Sequence, residues 1–471
     1  MSRFPCRLVC GLSIAWMIGA ICIAAHAQVL DPNFANPATT VQLPTFGVAV
    51  DAQGVLQRKM VEDPTGTLAK ERLKAAQGKL PQDVQAKSKL RKVSLVRLEQ
   101  AIKKAIDAGK QPDDAMLHLA GLQRIQFVFL FPEQKDIVIA GPAEGWLPDA
   151  VGRPVGMTSG RPVLELADLL AALRTYPPGA AKPVFVGCTI DPTQEGLTNL
   201  QKIQKNIPQS IPNAQQAAVA AQTAQAMRDG LGIAKIRVFG IPAETHFANV
   251  LIEADYRMKL IGIGLETPPI KLASYLDLIG GGQHGMLQRW WFTPNYDCVR
   301  VNDDHSACEL VGQGVQLQSE NKLVGPDGQL AATTQPNKLS DLFTEGFTKK
   351  YPDLAARSPV FAQLRNMIDL TIAAAFLQNE KYYDRADWRP TIFFDEKALP
   401  IKTLPTPTGV ETAINVVWKG NRMLALAGGG VSIRAEQALD PKRLLPDDGG
   451  KLKAERAKVG DARPADRWWW E

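Results

Sequence analysis

Strand-forming and helix-forming segments alternate from residue 182 to residue 317, and this alternation limits the possible folds more than any other feature of the sequence. Residues 183–188 form a short apolar run typical of a buried strand, and Asp191-Pro192 after it favours the start of a helix to about residue 206. The alternation continues with a helix over 213–229, a strand over 236–241, helices over 243–259 and 270–279, and strands over 287–293 and 311–317. This order predicts an α/β or α+β fold with mixed sheets and packed helices.

Several β-hairpins are predicted as well. Two apolar runs separated by turn-forming residues are typical of a hairpin. The chain contains this pattern at 125–131 with 136–140, at 46–50 with 55–57, and at 413–418 with 423–427, the last followed by Gly428-Gly429-Gly430.

Helices are predicted mainly by amphipathic spacing and by end signals. Ser94 is a suitable N-cap for a helix with Leu95, Leu98 and Ile102 on one face, and residues 164–176 form a second amphipathic helix. Residues 338–378 are expected to be helical with breaks around Pro352 and Pro359, because proline interrupts a helix. Residues 78–92, basic and polar, are expected to form a loop.

These segments suggest a division of the chain into five parts, and no repeat of fixed period is found. They are a signal peptide at 1–27, an N-terminal α+β region at 28–178, a central α/β region at 182–380, a C-terminal β-hairpin region at 381–445, and a charged, flexible tail at 446–471 ending in Trp-Trp-Trp-Glu.

The N-terminal segment predicts export. Arg3 and Arg7 precede an uncharged apolar run over residues 8–25, and Ala25-His26-Ala27 places small residues before a cleavage site. A membrane anchor is the alternative, since the run is near the lower length limit for a span, and lipidation at Cys22 is a second one. Cleavage after Ala27 would place the mature protein in the periplasm or outside the cell, with no further transmembrane segment expected.

The charge of the remaining chain argues against a nucleic-acid partner. Residues 28–471 contain 52 basic and 48 acidic residues, and the basic residues are scattered. Nucleic-acid-binding proteins usually carry a basic patch or stripe.

Three cysteines remain after cleavage: Cys188, Cys298 and Cys308. Asn302-Asp303-Asp304 is turn-forming, so a hairpin would bring Cys298 and Cys308 opposite each other, and export would expose them to an oxidising compartment. A Cys298–Cys308 disulfide is therefore predicted, with two buried free thiols or a metal pair as the alternatives.

Several longer phrases resemble a family of exported planctomycete-type bacterial proteins that carry a domain of unknown function. The resemblance extends over roughly residues 45–435. The matching phrases are residues 129–131 with 136–146, 191–197, 254–262, 289–294 and 364–370. The resemblance implies export and a single body of conserved length. It implies no activity and no catalytic residues.

No recognised catalytic motif is present. The chain lacks His-Glu-x-x-His, the Gly-x-Ser-x-Gly elbow and the phosphate-binding loop, and no two histidines stand at ligand spacing, so neither a metal nor a cofactor is expected. The alternative function is an envelope hydrolase of unrecognised type, in which His246 and Asp255 perform acid–base chemistry and Cys188 is a further candidate. An ordinary helical ion pair of Asp255 with Lys259 is the favoured interpretation of this segment.

The favoured function is an envelope-located binding or scaffold protein. Alternation along a strand would turn one of Trp290 and Trp291 outward, and Trp468, Trp469 and Trp470 would expose a large aromatic surface on a charged tail. These five tryptophans are the binding candidates, with an envelope protein or polymer as the expected partner. Packing of the tail tryptophans against the body is the alternative.

Overall fold

Two large mixed sheets organise the computed structural model. The structure describes residues 45–63, 65–179, 184–206, 212–279, 287–320, 337–415, 426–464 and 466–471. The predicted signal peptide, the Gly280–Gly285 segment with His284, and most of the predicted 413–427 hairpin lie outside these residues.

The strands within the described residues are β1 Thr45–Val50, β2 Val55–Val61, β3 Ser88–Ser94, β4 Phe127–Phe131, β5 Asp136–Ala143, β6 Trp146–Pro148, β7 Pro154–Gly156, β8 Phe185–Asp191, β9 Ile233–Phe239, β10 Leu287–Pro294, β11 Val299–Val301, β12 Ala307–Leu310, β13 Val315–Ser319, β14 Gly409–Glu411, β15 Leu426–Arg434, β16 Leu445–Pro446 and β17 Trp469–Trp470.

The α-helices within the same residues are α1 Thr67–Lys79, α2 Gln82–Gln85, α3 Leu95–Asp107, α4 Asp114–Leu117, α5 Leu166–Thr175, α6 Gln194–Lys205, α7 Gln216–Leu231, α8 His246–Gly262, α9 Tyr275–Leu278, α10 Lys338–Arg357, α11 Pro359–Asn379, α12 Tyr382–Arg385, α13 Ala435–Ala438 and α14 Lys451–Asp461.

The first large sheet, called sheet A, has the strand order β1-β2-β14-β9-β8-β15-β10-β13, and the second, sheet B, has the order β16-β11-β12-β4-β5-β3-β17. Sheet A mixes parallel pairs (β2 with β14, β10 with β15) with antiparallel ones. The mixed α/β organisation predicted from the sequence is confirmed. Each sheet takes strands from several of the predicted regions, because long-range strand pairing leaves no local signal in the sequence.

Helices α8 and α11 form the centre of the core. Nearly every residue of both helices is buried, α8 packs on β8 and β15, and α11 packs on α5, α8 and α10. By length and composition α11 is apolar enough to cross a membrane, but its residues are buried inside the protein, as in a core helix. The two helices therefore hold sheet A and α5 in fixed positions.

Local end signals explain where several helices begin. Ser94 caps α3 by accepting a hydrogen bond from Arg97 N at 3.1 Å, as its position predicts. Pro359 opens α11, whereas Pro352 lies inside α10, so the predicted break there is wrong. The predicted loop at 78–92 is also wrong, since it contains α2 and most of β3, whose edge is covered by the C-terminal strand β17.

The glycine run in β15 permits a close approach to β10. Gly429 has φ +115°, and a Cβ atom there would lie 1.8 Å from the carbonyl oxygen of Trp290. Only glycine combines that backbone conformation with that contact. The glycine run therefore allows β15 to pair closely with β10 within sheet A.

The C-terminal tail is ordered where a flexible tail is predicted. Residues 451–461 form α14, and β17 pairs with β3, with Trp469 opposite Val93 and Trp470 opposite Lys92. Trp470 packs with Phe129, Phe131 and Val459 in an apolar cluster on sheet B. Burial of aromatic surface explains the order, since Trp469 and Trp470 are both buried where β17 pairs with β3.

The hairpin predicted between the cysteines forms, but the predicted disulfide does not. The carbonyl oxygen of Cys298 accepts from Val311 N at 2.7 Å, and Cys308 lies opposite Val301. This register places the two cysteines three positions apart along the hairpin. Cys188, Cys298 and Cys308 are all buried free thiols, so the disulfide prediction is corrected.

Candidate functional site

A cleft of about 770 Å³ opens where the β1–β2 hairpin and α1 face the N-terminal ends of α5 and α8. Its apolar wall includes Val48, Val50, Leu56, Val250 and Leu404. Its polar lining consists of Arg72, Lys79, Asp114, His118, Arg153, Glu165, His246, Asn249, Glu253, Gln363 and Lys402.

His246 is the first residue of α8 and lies at the floor of the cleft. Thr245 caps the helix by accepting from Ala248 N at 3.2 Å, which fixes the direction in which the His246 side chain leaves it. The Nδ1 atom of His246 lies 2.8 Å from Asp168 Oδ2 and 3.6 Å from Glu165 Oε1. Both carboxylates therefore approach the same nitrogen of the imidazole.

Both carboxylates come from the start of α5. Glu165 immediately precedes the helix and Asp168 lies in its first turn, where the helix dipole favours negative charge. Asp168 is 2% exposed, whereas Glu165 is partly open to the cleft. Asp168 therefore holds the imidazole from its buried side, whereas Glu165 is accessible to a ligand in the cleft.

Gln363 of α11 approaches the other ring nitrogen. Its Nε2 atom lies 3.2 Å from His246 Nε2, and its Oε1 atom is buried with no hydrogen-bond partner. The Oδ1 atom of Asp168 is also buried without a partner. Buried acceptors are seldom left unpaired, and of these two oxygens the one on Gln363 belongs to a residue that lines the cleft, where a ligand would complete its hydrogen bonding.

The charges at the floor favour a protonated histidine. Burial disfavours the imidazolium, but the negative charges of Asp168 and Glu165 outweigh burial and raise the pKa of His246 to about 9. Burial raises the pKa of Glu165, against the attraction of His246. Groups with shifted pKa values in a cleft are typical of functional sites.

Two further arginines are paired and support the wall. Arg153 Nη2 lies 2.5 Å from Glu253 Oε1, and Arg257 Nη2 lies 2.7 Å from Glu266 Oε1. The first pair lies directly at the cleft, since Arg153 and Glu253 both line it. Because their charges are compensated, we assign these pairs a structural role in the wall of the cleft.

Three cations lining the cleft have no such compensation. Arg72, Lys79 and Lys402 make no ion pair with any acid in the part of the chain that the structure describes. Lys402 acts electrostatically on Glu165, which places it near the floor. These three cations outnumber Asp114, a carboxylate of the lining that also makes no ion pair within the described residues, so the lining carries an excess of positive charge.

The structure separates the residues of the predicted hydrolase site. Asp255 follows His246 by nine positions on α8, which corresponds to roughly 13 Å along the helix axis. Asp255 is fully buried with Lys259, and Cys188 is a buried thiol whose pKa is raised by burial and by Asp255. His246 therefore does not form a catalytic group with Asp255 or Cys188.

The predicted tryptophan surfaces are mostly buried. Trp290 is fully buried and donates to Ser340 Oγ at 2.8 Å, and Trp291 is 9% exposed. Trp469 and Trp470 pack on sheet B, and Trp468 is partly buried against the core. Strand β10 pairs with a strand on each edge, and the burial of two successive tryptophans shows that both of its faces are covered there.

Sequence reasoning missed Glu165, Asp168 and Gln363. The sequence did contain a signal for Asp168. Its spacing from Leu164 and Ala171 places it on the apolar face of the predicted 164–176 helix. A carboxylate on such a face needs a buried partner. No local signal pointed to Gln363, which is 117 positions from His246.

Comparison with known proteins adds a family for part of the chain. Residues 188–275 match the family described as a protein of unknown function, DUF1598. The segment extends from β8 through α8 to α9, so it contains His246 and lacks Glu165, Asp168 and Gln363. No curated protein and no solved structure matches the chain. The chain therefore carries a DUF1598 segment, a domain of unknown function.

Proposed function

We propose that this is an exported binding protein that holds a small, negatively charged organic ligand in the cleft. The observation that carries the proposal is the set of three cations without an ion pair, Arg72, Lys79 and Lys402, which line the same cleft as His246 and Glu165. Positive charge around a concave site attracts anionic ligands and raises their local concentration.

The shape of the cleft supports a small organic ligand. Its volume of about 770 Å³ lies within the range of roughly 300–1,000 Å³ that is typical of small-molecule sites. Val48, Val50 and Leu404 give it an apolar wall beside the charged groups. An amphiphilic ligand would place its apolar part on this wall and its acidic group near Lys402.

Export is part of the proposal and is supported by the sequence. The charged start, the apolar run and Ala25-His26-Ala27 predict removal of residues 1–27 and a location in the bacterial envelope or outside the cell. Fractionation of the native cells followed by intact-mass measurement tests this, with a mature chain that begins at Gln28 as the expected result. An envelope protein or polymer as partner stays a prediction.

Binding is tested on the chain of residues 28–471 with a fragment library composed of matched acid and amide pairs. Isothermal titration calorimetry with benzoate against benzamide, and with hexanoate against hexanamide, measures the effect of charge at constant shape. We expect the acids to bind and the amides to bind at least about tenfold more weakly, a difference of about 1.4 kcal/mol.

The variant Lys79→Ala/Lys402→Ala should remove most of the preference for the acid. Lys397→Ala, which removes an exposed cation outside the cleft lining, is the matched control and should bind as the unchanged protein does. Equal binding of acids and amides throughout the library would contradict the proposed function.

A further inference from the structure

We propose that Glu165, Asp168 and His246 form a binding site for one divalent transition-metal ion, with Zn²⁺ the preferred ion. The inference deepens the proposed function and rests on it in one respect, because the metal would supply a positive centre for the acidic group of the ligand. No motif in the sequence predicts this site, since its three residues come from two helices far apart in the chain.

The distances within the cluster suit a metal ion. One ligand atom from each of the three side chains lies within 4.8 Å of the other two. His246 Nδ1 is 2.8 Å from Asp168 Oδ2 and 3.6 Å from Glu165 Oε1. Ligands placed about 2.0–2.2 Å from a tetrahedral Zn²⁺ are about 3.4 Å apart, and the two distances from His246 lie close to that separation.

The unpartnered oxygens give an independent indication. Asp168 Oδ1 is buried without a partner, and Asp168 as a whole is 2% exposed. Oδ1 belongs to the same carboxylate as the ligand atom Oδ2. A metal ion bound by this group would therefore lie next to the negative charge of Asp168. The hydrogen bond to His246 uses Oδ2 alone and leaves Oδ1 without a partner, whereas a metal ion bound by both oxygens of the carboxylate would give Oδ1 one.

Gln363 provides the outer support that metal-bound histidines usually have. A metal ion on Nδ1 of His246 displaces the proton of that nitrogen into solvent, and the proton that remains on Nε2 must be donated to an acceptor. Gln363 Oε1 is buried, unpartnered and part of an amide whose nitrogen already lies 3.2 Å from Nε2. Rotation of that amide by half a turn exchanges its nitrogen and oxygen and forms the bond.

The ligand set favours zinc over calcium or magnesium. Imidazole nitrogen binds Zn²⁺ well, whereas Ca²⁺ and Mg²⁺ prefer oxygen ligands alone. Two carboxylates and one imidazole leave a fourth position of a tetrahedral ion. Because Glu165 and His246 both line the cleft, that position faces the space in which the proposed ligand binds.

The test measures Zn²⁺ itself on the chain of residues 28–471 after treatment with EDTA. Titration calorimetry and metal analysis after gel filtration should show one Zn²⁺ per chain. Addition of Co²⁺ should give the visible absorption of a tetrahedral site. Glu165→Gln and His246→Ala should each weaken Zn²⁺ binding by at least tenfold, and Gln363→Leu by about 10–100-fold.

Asp114→Asn is the matched control, because Asp114 is a carboxylate of the same cleft outside the cluster. It should leave the Zn²⁺ affinity unchanged. Glu165 is partly exposed, so Glu165→Gln should fold even if a variant of the buried Asp168 does not. Failure of the unchanged protein to retain Zn²⁺, or equal Zn²⁺ affinity of Glu165→Gln and Asp114→Asn, would overturn the inference.

The two proposals can fail separately. Anion binding in the presence of EDTA, together with no retained Zn²⁺, would keep the proposed function and reject the metal site. Retained Zn²⁺ without preference for acids over amides would keep the metal site and reject the anionic ligand.

Discussion

The Oδ2 atom of Asp255 lies 2.7 Å from the Nζ atom of Lys259, and both side chains are completely buried between α8 and sheet A. The ammonium group also donates to the carbonyl oxygens of Ile190 at 3.0 Å and Gly429 at 3.1 Å. One lysine thereby connects α8 to two neighbouring strands of the sheet. The pair determines where the helix crosses the sheet, and with it the position of His246 at the other end of α8.

Replacement of Lys259 by methionine should strongly destabilise the fold. Breaking a buried ion pair on one side leaves an uncompensated charge, which typically costs about 3–5 kcal/mol. The free energy of unfolding from urea titration should fall by that amount. The double variant Lys259→Met/Asp255→Leu should recover most of the loss, and equal losses in the single and double variants would contradict the role of the pair.

The same carboxylate should make stability depend on pH. Burial, which outweighs the attraction of Lys259, raises the pKa of Asp255 to about 6 from its ordinary 3.8. The folded protein therefore binds this proton more tightly than the unfolded chain does. The resulting stability is fully present below about pH 4 and is lost as the pH rises through about 6.

Asp255→Asn is the reference for this measurement. Relative to that variant, the unchanged protein should lose on the order of 3 kcal/mol in the free energy of unfolding between about pH 4 and pH 7. Urea titrations at several pH values measure the difference. A difference that stays constant with pH would show that Asp255 does not titrate in this range.

Local features of the fold could be predicted from the sequence, whereas of the candidate site only His246 could be. The Ser94 cap, the 125–140 hairpin and the strand–helix order after residue 182 each depend on neighbouring residues, which the sequence displays directly. The contact between His246 and Asp168 joins positions 78 residues apart. It depends on the packing of α5 against α8, and periodicity reports which face of a helix is buried but not which helix covers it.

The cysteines should be unreactive in the folded protein. Burial raises the pKa of Cys298 to about 12 and that of Cys308 well above its ordinary value, and buried thiols that are not ionised react slowly. The chain of residues 28–471 should therefore react with Ellman's reagent only after unfolding, with all three thiols. An intact mass that rises on reduction would instead show that Cys298 and Cys308 had formed the disulfide.

The C-terminal strand should contribute to stability as a part of the fold. Arg91 is completely buried, donates to the carbonyl oxygens of Ala120 at 2.6 Å and Val84 at 3.0 Å, and lies 2.6 Å from a carboxylate oxygen of Glu471. Trp470 is buried in the apolar cluster on sheet B. Truncation of a buried tryptophan to alanine costs about 3–5 kcal/mol, so Trp470→Ala should lower the free energy of unfolding by that amount.

Trp468→Ala is the matched control for this last prediction, because Trp468 is only partly buried and should lose clearly less. Limited proteolysis gives a second measurement: the tail of the unchanged protein should resist cleavage after Lys458 and Arg463, and that of Trp470→Ala should be cleaved. If Trp470→Ala and Trp468→Ala had the same stability as the unchanged protein, β17 would not be docked on β3 in solution. The tail tryptophans would then be free for the partner contacts that the sequence suggests.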